Sequence, residues 1–378
     1  MSFDKRKLKR ELKRPVDQLR AALLYPFEIY WKYAHDRDFR TNIRMTNGEQ
    51  PVDRKVAIYL IYQPKKLAES TLVTCEHLQR HGYAVLLVSN TALSEESKQR
   101  LKPVIWKIME RPNFGYDFGG YRDGVRFIQD SDLSLDAMVI LNDSMWWPVF
   151  ENDTTLARME RSQHDLMGMI IRPFGKRRKA MAERPQHLQS YFYWFNAKAI
   201  SSKAFRDFWD RYLPSSFKYN AIRRGELKFT EAMKSGGLSI GTLIRFDDFF
   251  DALRQKPSDY LNKLLGYAAY KNAAQTEQSH ALQDAATKDD VWRENVFEFI
   301  NHVEATSEFH MSFQVNCMDL LGLNHTKRSS GEPKDSPHHV ARDQFLKAVE
   351  NADLPGPIPL VLAEIEERHR IGAQAVGR

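Results

Sequence analysis

Apolar and polar residues alternate along this chain in blocks that are typical of strands and helices following one another. Four short apolar runs predict buried strands, at residues 56–62, 83–89, 104–109 and 138–141. The segments between the first three favour helices, one over 67–81 and one beginning at Ser94, a residue type that caps helix N-termini. Strands alternating with helices in this way indicate a mostly parallel sheet with right-handed crossovers. The pattern therefore predicts an α/β fold.

The same pattern continues beyond residue 148. We predict a fifth strand over 165–171, a sixth over 189–195 entered from His187, and an aromatic amphipathic helix over 201–213 that packs into the core. Within residues 239–250, Asp247 and Asp248 are adjacent, so on a strand they would point to opposite faces and could not bind one ion together. We therefore do not interpret this pair as a metal motif.

The N-terminal segment has an amphipathic pattern of its own. Apolar residues recur every three or four positions, at Leu8, Leu12, Val16, Leu19, Leu23, Phe27 and Tyr30. Pro15 and Pro26 are expected to break this run into short helices. Residues 1–20 hold eight Lys and Arg against three acidic residues, which is most of the net charge of +7. Two interpretations stay open: residues 1–34 contact an anionic membrane surface, or they pack on the body or form a tail.

Polar stretches divide the chain. Residues 41–54 and 326–342 read as linkers, so we predict a basic amphipathic segment over 1–50, an α/β domain over 51–325, and a linker with a helical tail over 326–378. Cys75 and Cys317 lie far apart, which excludes a disulfide framework and favours a reducing cytosol. No apolar run is long enough to span a membrane, and no signal peptide is visible. We expect a cytoplasmic protein.

Nucleic-acid binding is not expected, although the isoelectric point is about 9.1. The basic charge is concentrated in the N-terminal tail rather than interleaved with aromatic residues along a binding surface. A second basic cluster, within residues 172–186, contains Arg172, Lys176, Arg177, Arg178, Lys179 and Arg184. That cluster could bind a diphosphate or an anionic acceptor, or it could be a solvated loop.

Two stretches carry the candidate chemistry. The first, Asn113-Phe-Gly-Tyr-Asp-Phe-Gly119, combines Gly115 and Gly119 with Asp117, so backbone can approach a ligand closely before a helix whose free N–H groups favour an anion. The second, Asn142-Asp143-Ser144, follows the fourth strand, where ligands bind in open α/β sheets. An Asp there can hold a hard cation that in turn holds a diphosphate. Together they suggest a nucleotide-sugar site, whereas Asn-Asp-Ser alone is more often a turn or a helix cap.

Three motifs in order, Asn113-Phe-Gly-Tyr-Asp-Phe-Gly, Leu141-Asn-Asp-Ser and His187-Leu-Gln-Ser-Tyr-Phe192, resemble the rhamnan synthesis F family over roughly residues 55–325. The resemblance implies a GT-A-like nucleotide-diphosphosugar-transferase domain with helical N- and C-terminal additions. It also implies a glycosyltransferase for a bacterial cell-surface polysaccharide, such as lipopolysaccharide O-antigen or capsule. Trp146-Trp147 departs from the family pattern, in which smaller residues are expected, and this puts the local pocket shape in doubt.

The resemblance also implies roles for individual residues. Donor-binding residues would be Asn113, Gly115, Asp117, Gly119, Asn142, Asp143 and Ser144, with Asp143 also the catalytic ligand of a divalent cation, Mg²⁺ or Mn²⁺. Glu226 occupies the acidic position of the family and would be the catalytic base. Glu231, inside the predicted helix, fits a solvated face better. His187 and Gln189 would lie on the acceptor side, although a lone His beside an apolar strand is more often structural.

The function that these expectations favour is transfer of a sugar, rhamnose being one candidate, from a nucleotide diphosphate to a glycan or lipid-linked glycan. The cofactor would be a divalent cation or none. The protein would work in the cytoplasm, peripherally on the inner face of the membrane. The alternative is a non-catalytic scaffold of the polysaccharide assembly machinery that keeps the fold without turnover.

Overall fold

The computed structural model describes residues 5–173, 185–270, 272–328 and 336–374, with the side chains of 5–14 and 372–374 left aside. The strands are β1 (Arg44–Asn47), β2 (Lys55–Ile61), β3 (Ala84–Ser89), β4 (Lys107–Glu110), β5 (Ala137–Asn142), β6 (Met145–Trp146), β7 (Leu166–Gly168), β8 (Ile171–Pro173), β9 (Gln186–Leu188), β10 (Phe192–Asn196), β11 (Ile240–Thr242) and β12 (Thr326–Lys327).

Helices account for most of the remaining described chain. The helices are α1 (Lys5–Arg37), α2 (Phe39–Asn42), α3 (Glu69–Arg80), α4 (Glu95–Leu101), α5 (Tyr116–Gln129), α6 (Thr155–Glu160), α7 (Ala197–Ser201), α8 (Lys203–Arg211), α9 (Lys218–Arg224), α10 (Glu226–Ser235), α11 (Phe246–Arg254), α12 (Ser258–Gly266), α13 (Ala273–Gln283), α14 (Asp290–Thr306), α15 (Phe309–Ser312), α16 (Gln314–Leu321), α17 (Pro337–Glu350) and α18 (Pro359–Gln374). Ser94 caps α4 as predicted, because its side chain accepts a hydrogen bond from the Ser97 N–H.

The main sheet has eight strands in the order β1-β4-β3-β2-β5-β10-β7-β11. Strands β4, β3, β2 and β5 are mutually parallel, and β7 and β11 run in the same direction. Only β1, at one edge, and β10, between β5 and β7, run the opposite way. The predicted α/β class, a mostly parallel sheet with helical additions at both ends, is confirmed.

Strand β2 shows why the apolar runs lie at the centre. Alternate residues point to opposite faces of a strand, and both faces of β2 are buried. Ala57, Tyr59 and Ile61 belong to a core shared with α3 and the C-terminal helices. Val56, Ile58 and Leu60 belong to a second core shared with α5, α8 and α10. A strand covered on both sides needs a continuous apolar run, which is the pattern seen in the sequence.

Three elements differ from the sequence prediction. The predicted fifth strand divides into β7, in the main sheet, and β8, which pairs with β9 in a separate ribbon. Residues 41–54, predicted as a linker, include the edge strand β1. Asp247 and Asp248 lie in the first turn of α11 and not on a strand, because the chain leaves β11 at Thr242; acidic residues there stabilise the helix dipole.

The prediction that Pro15 and Pro26 break the N-terminal segment was wrong, since α1 runs through both. Each proline removes one backbone donor, and both lie on exposed positions of the helix. The helix is held on its inner side by Glu28, His35 and Asp36, which bond to the body. Among the residues that the structure describes, no helix combines the length and apolar character that crossing a bilayer requires.

The C-terminal segment packs on the body. Within the stretch predicted as a linker, β12 pairs with β6, and α17 begins at Pro337. Glu364 of α18 accepts hydrogen bonds from the Ser70 hydroxyl (2.7 Å) and the Trp146 indole (2.9 Å). The unexpected Trp146 is therefore a buried packing residue beneath α18.

Candidate active site

A cleft of about 660 Å³ opens at the carboxyl ends of the central strands. Its floor comes from the ends of α5 and β5, one wall from α9 and α10, and the other wall from the segment between α14 and α17. The lining residues used below are Tyr116, Asp117, Asn142, Ser144, Arg172, Gln189, Lys218, Ile222, Glu226, Glu308, His310, His325, Lys327 and His338.

The glycine loop positions the start of α5 against this cleft. Gly115 has φ of +83°, a conformation that favours glycine, and a side chain there would also meet Pro214 at 2.7 Å. A side chain at Gly119 would meet the Phe114 carbonyl oxygen at 2.1 Å, so only glycine fits. Arg111 donates a 2.6 Å hydrogen bond to the same carbonyl. The loop is therefore a rigid turn whose glycines shape the site without lining it.

Asp117 lies in the first turn of α5 and faces the cleft. Its Oδ2 accepts a 3.0 Å hydrogen bond from the Asn142 side-chain amide. Protein surrounds the carboxylate on most sides, while the cleft leaves it open to solvent. Burial, helped by the negative charges of Asp143 and Glu226, raises the pKa of Asp117 to about 6, against the opposing charge of Lys327. The four ionisable groups therefore share one electrostatic environment.

Asp143 stands just behind the lining. It follows β5, and its Oδ2 accepts hydrogen bonds from the Tyr62 N–H (3.1 Å) and the Gln63 amide (3.0 Å), both of which follow the neighbouring strand β2. Asn142 and Ser144 on either side line the cleft, whereas Asp143 is not part of its lining. One oxygen of Asp143 thus tethers two strand ends, and its charge acts on Asp117.

Glu226 is the first residue of α10 and lies on the wall formed by α9 and α10. Its Oε1 is 3.6 Å from Nε2 of His187 in β9, and about a quarter of its side chain is exposed. Gln189, two residues after His187, also lines the cleft. Glu231 instead pairs with Lys228 at 2.6 Å on the exposed side of α10. Gln189 and Glu226 therefore line the cleft, His187 is buried beside Glu226 and is not part of the lining, and Glu231 does not belong to this group.

Other predicted residues lie outside this arrangement. Asn113 is exposed and is not part of the cleft lining. Of the second basic cluster, Arg172 lines the cleft beside Glu308, while Lys176, Arg177, Arg178, Lys179 and Arg184 lie outside the described residues.

Sequence reasoning missed the wall that residues 308–327 form together with Pro337 and His338. Lys327 reaches the cleft because β12 pairs antiparallel with β6, which places it opposite Met145. His310 and His325 line the same wall, and burial lowers the pKa of His325 to about 3, so it is neutral at physiological pH. Lys327 and His338 come from the stretch 326–342, whose polar pattern predicted a linker, whereas His310 and His325 lie within the predicted α/β domain. Thr326 is the one β-branched residue of β12, so the sequence there gives no strand signal.

The acidic residues fit a divalent cation only in part. Among the described residues, no group of three or more His, Cys, Asp and Glu side chains could hold a metal by itself. Mg²⁺, however, is commonly bound by one or two carboxylates together with substrate phosphates and water. Asp117 and the Oδ1 of Asp143, which has no hydrogen-bond partner among the bonds described, are suited to a cation that arrives with a diphosphate.

This chain is similar in sequence to a known protein and aligns with solved structures. The uncharacterized protein y4gN of Sinorhizobium fredii (strain NBRC 101917 / NGR234) is 32% identical over 290 residues, which cover 73% of this chain and 74% of the relative. Among solved structures, a mannosyltransferase of Pyrobaculum calidifontis in complex with GDP-Man and Mn²⁺ aligns over 96% of both chains at 9% identity and a TM-score of 0.31. The glycosyltransferase GlyE of Streptococcus pneumoniae TIGR4 aligns over 67% of this chain and 64% of its own, at 11% identity and a TM-score of 0.28.

The family comparison concerns the part of the chain that carries the glycine loop, the end of β5 and the His187–Glu226 wall. The sequence profile described as rhamnan synthesis protein F matches residues 85–268, which include all of these elements. This chain therefore belongs to the rhamnan synthesis protein F family.

Proposed function

We propose that this protein is a GT-A-like glycosyltransferase that moves a sugar, rhamnose being the first candidate, from a nucleotide diphosphate to a growing bacterial cell-surface polysaccharide. The observation that carries the proposal is that two carboxylates from distant parts of the chain line one cleft: Asp117, bonded to Asn142 on its floor, and Glu226, beside His187 on the wall formed by α9 and α10. Sugar transfer needs charge stabilisation at the donor and a base at the acceptor.

Donor binding is assigned to the floor of the cleft, at the end of β5 and the start of α5. Gly115 and Gly119 would fold the loop so that the start of α5 faces the donor, and Asn142 and Ser144 offer polar groups beside it. With a pKa of about 6, Asp117 is the carboxylate whose protonation is most easily coupled to the charge of a bound diphosphate. Asp143 maintains the strand ends that carry these groups.

A divalent cation, Mg²⁺ or Mn²⁺, would be held by Asp143 and Asp117 together with the donor. It would neutralise charge on the departing nucleotide diphosphate. The chain also supplies cations of its own at this cleft, Lys218, Arg172 and Lys327, which come from three different elements. These residues would stabilise the same developing charge whether or not an ion is bound.

Glu226 is assigned as the general base of an inverting transfer. The acceptor hydroxyl oxygen bonds to the anomeric carbon while the bond from that carbon to the diphosphate breaks, and the hydroxyl proton passes to Glu226. His187, 3.6 Å from the Glu226 carboxylate, would hold it in place. Gln189 lies on the same wall and would contact the acceptor.

The acceptor is a glycan or a lipid-linked glycan, of the kind found in O-antigen or capsule synthesis. The protein would act in the cytoplasm, attached peripherally to the inner face of the membrane through residues 1–34. A glycosyltransferase that builds surface polysaccharide needs access to both a soluble donor and a growing chain.

The test is a thermal-shift panel of nucleoside diphosphate sugars, each measured with and without Mg²⁺ or Mn²⁺. A ligand that binds only the folded state increases the free energy of unfolding, by about 2.7 kcal/mol at a concentration of a hundred times its dissociation constant. It therefore raises the melting temperature. We expect one donor to raise the melting temperature of the protein, and its sugar to be released by hydrolysis or transferred to an acceptor. A shift without any turnover would favour a non-catalytic scaffold instead, and no shift with any donor would contradict the proposal.

A further inference from the structure

The outer side of α1 carries a concentration of exposed apolar side chains found nowhere else in the described chain. Nine of the sixteen exposed large hydrophobic residues of the described chain belong to α1. Val16, Leu19, Leu23, Phe27 and Tyr30 recur every three or four residues, share one face of the helix, and are each between 58% and 65% exposed. We call these five residues the outer stripe. Leaving so much apolar area in water is unfavourable, which indicates a surface that docks on something.

The inner side of α1 is fixed to the body by buried polar contacts. Glu28 is 1% exposed and accepts hydrogen bonds from Asn220 (2.9 Å) and Arg224 (2.7 Å), which belong to α9. Near the C-terminal end of α1, Asp36 accepts hydrogen bonds from both terminal nitrogens of Arg122 on α5, at 2.6 and 2.8 Å. The outer stripe is therefore a rigid part of the molecule and not one side of a loose tail.

Helix α9 joins the outer stripe to the cleft. One side of α9 contacts α1, where Arg224 lies over the Tyr25 ring and Arg20 lies over Phe217 just before the helix. The other side of α9 places Lys218 and Ile222 in the cleft lining. Since a helix is about 10 Å across, the outer stripe lies roughly one to two helix diameters from the cleft. Ile222 and Tyr116, at the cleft, are themselves 38% and 41% exposed.

We propose that the outer stripe of α1 docks on an anionic phospholipid bilayer, and that this docking presents the cleft to an acceptor glycan carried by a membrane lipid. The second part rests on the proposed function. Two observations favour a bilayer over a second copy of the chain. The exposed side chains of α1 include Trp31, Tyr30 and Tyr33, and such aromatic residues concentrate at the membrane interface. The same helix begins with a strongly basic sequence, which complements anionic headgroups.

Vesicle co-sedimentation tests the docking surface. The variant Leu19→Glu/Leu23→Glu/Phe27→Glu is compared with Val291→Glu/Leu360→Glu, which alters two equally exposed apolar residues elsewhere. On vesicles of phosphatidylglycerol and phosphatidylethanolamine, we expect at least a tenfold loss of bound protein for the outer-stripe variant and none for the control. Equal binding of both, or absence of binding by the unaltered protein, would overturn the proposal.

Sedimentation velocity without lipid tests the competing occupant. A dimer of the unaltered protein that the outer-stripe variant abolishes would overturn the proposal in favour of self-association. Because the three positions are exposed, we expect unchanged melting temperatures. Should the variant not fold, quenching of Trp31 fluorescence by brominated lipids in the unaltered protein, with Trp31→Phe as the reference, decides the same question.

The orientation of the cleft is tested with single labels. Cys75 and Cys317 are fully buried, so a fluorophore can be attached at Ile222→Cys, on the cleft, or at Val291→Cys, on α14. With vesicles carrying a headgroup quencher, we expect strong quenching at 222 and little at 291. Similar quenching at both sites would overturn the claim that the cleft faces the bilayer.

Donor binding separates this proposal from the proposed function. The outer-stripe variant should retain the thermal shift that a nucleoside diphosphate sugar gives the unaltered protein. If no such sugar shifts either protein while the vesicle results hold, the glycosyltransferase assignment fails and the docking surface stands. If the sugars bind and the vesicles do not, the docking proposal fails alone.

Discussion

The Nε2 atom of His187 lies 3.6 Å from the Oε1 atom of Glu226, which brings together β9 and the first residue of α10 across 39 positions of sequence. The contact gives Glu226 a partner on the cleft wall while leaving it accessible to an acceptor. A carboxylate that is partly exposed in a cleft can contact the hydroxyl whose proton it would take.

Replacing Glu226 by Gln should lower kcat by about a hundredfold or more, because the variant cannot accept the acceptor proton. Donor affinity should be retained, since Glu226 belongs to α10 and not to the β5 end, to which donor binding is assigned. The matched control is Glu231→Gln, five positions on and exposed beside Lys228, for which we expect no change. Steady-state kinetics with donor binding measured separately decides this, and a large loss in the control would reassign the base.

Replacing Asp143 by Asn should abolish donor-dependent turnover with only a small change in melting temperature. The asparagine oxygen can still accept from the Tyr62 N–H and the Gln63 amide, so the strand ends remain tethered. The negative charge available to a cation or to Asp117 is lost. Circular dichroism confirms the fold, and Asp136→Asn, an exposed position, serves as control. Full turnover by a folded variant would contradict the role of Asp143.

Asp117 should make the stability depend on pH in a defined direction. Its folded-state pKa of about 6 lies above the ordinary value of 3.8, so between these values the folded protein binds more protons than the unfolded chain. Its contribution to stability is therefore present below about pH 4 and is lost as the pH rises through about 6.

Asp117→Asn should accordingly melt at a higher temperature than the unaltered protein at pH 7, and at the same temperature near pH 3.5. Thermal melts across this range provide the measurement, with Asp130→Asn, an exposed residue directly after the same helix, as reference. A stabilisation that does not vary with pH would show that the effect is one of packing and not of charge.

Removing the buried carboxylate of Glu28 on α1 should destabilise the body, although the sequence of this segment suggests a basic tail. Glu28→Ala leaves Arg224 without its carboxylate, and breaking such a pair costs about 3–5 kcal/mol when it is buried; Arg224 is a quarter exposed, which favours the lower end. Gln18→Ala, exposed on the same helix, should change little. Urea titrations measure both, and a cost below about 1 kcal/mol would contradict the anchoring role of Glu28.

Much of the fold could be predicted because its signals are local. The strands β2, β3 and β5 are apolar runs covered on both faces, so each is recognisable by itself. The strand predicted at 104–109 is displaced to β4 (Lys107–Glu110), because residues 102–104 form a helical turn. The glycine loop and the Asn142-Asp143-Ser144 turn were likewise visible, since their geometry depends on residue types within a few positions.

Tertiary structure decided which of these residues share a site. Asp143 is withdrawn behind the lining because the ends of β2 and β5 meet there, and no local pattern encodes that pairing. Lys327 enters the cleft through a two-residue pairing with β6, which is too short to give a periodic signal. Pro15 and Pro26 remain within one helix, in which Glu28, His35 and Asp36 bond to residues that lie about 90 to 200 positions away. Periodicity reports what a segment buries, whereas contacts between distant segments determine which groups meet in a site.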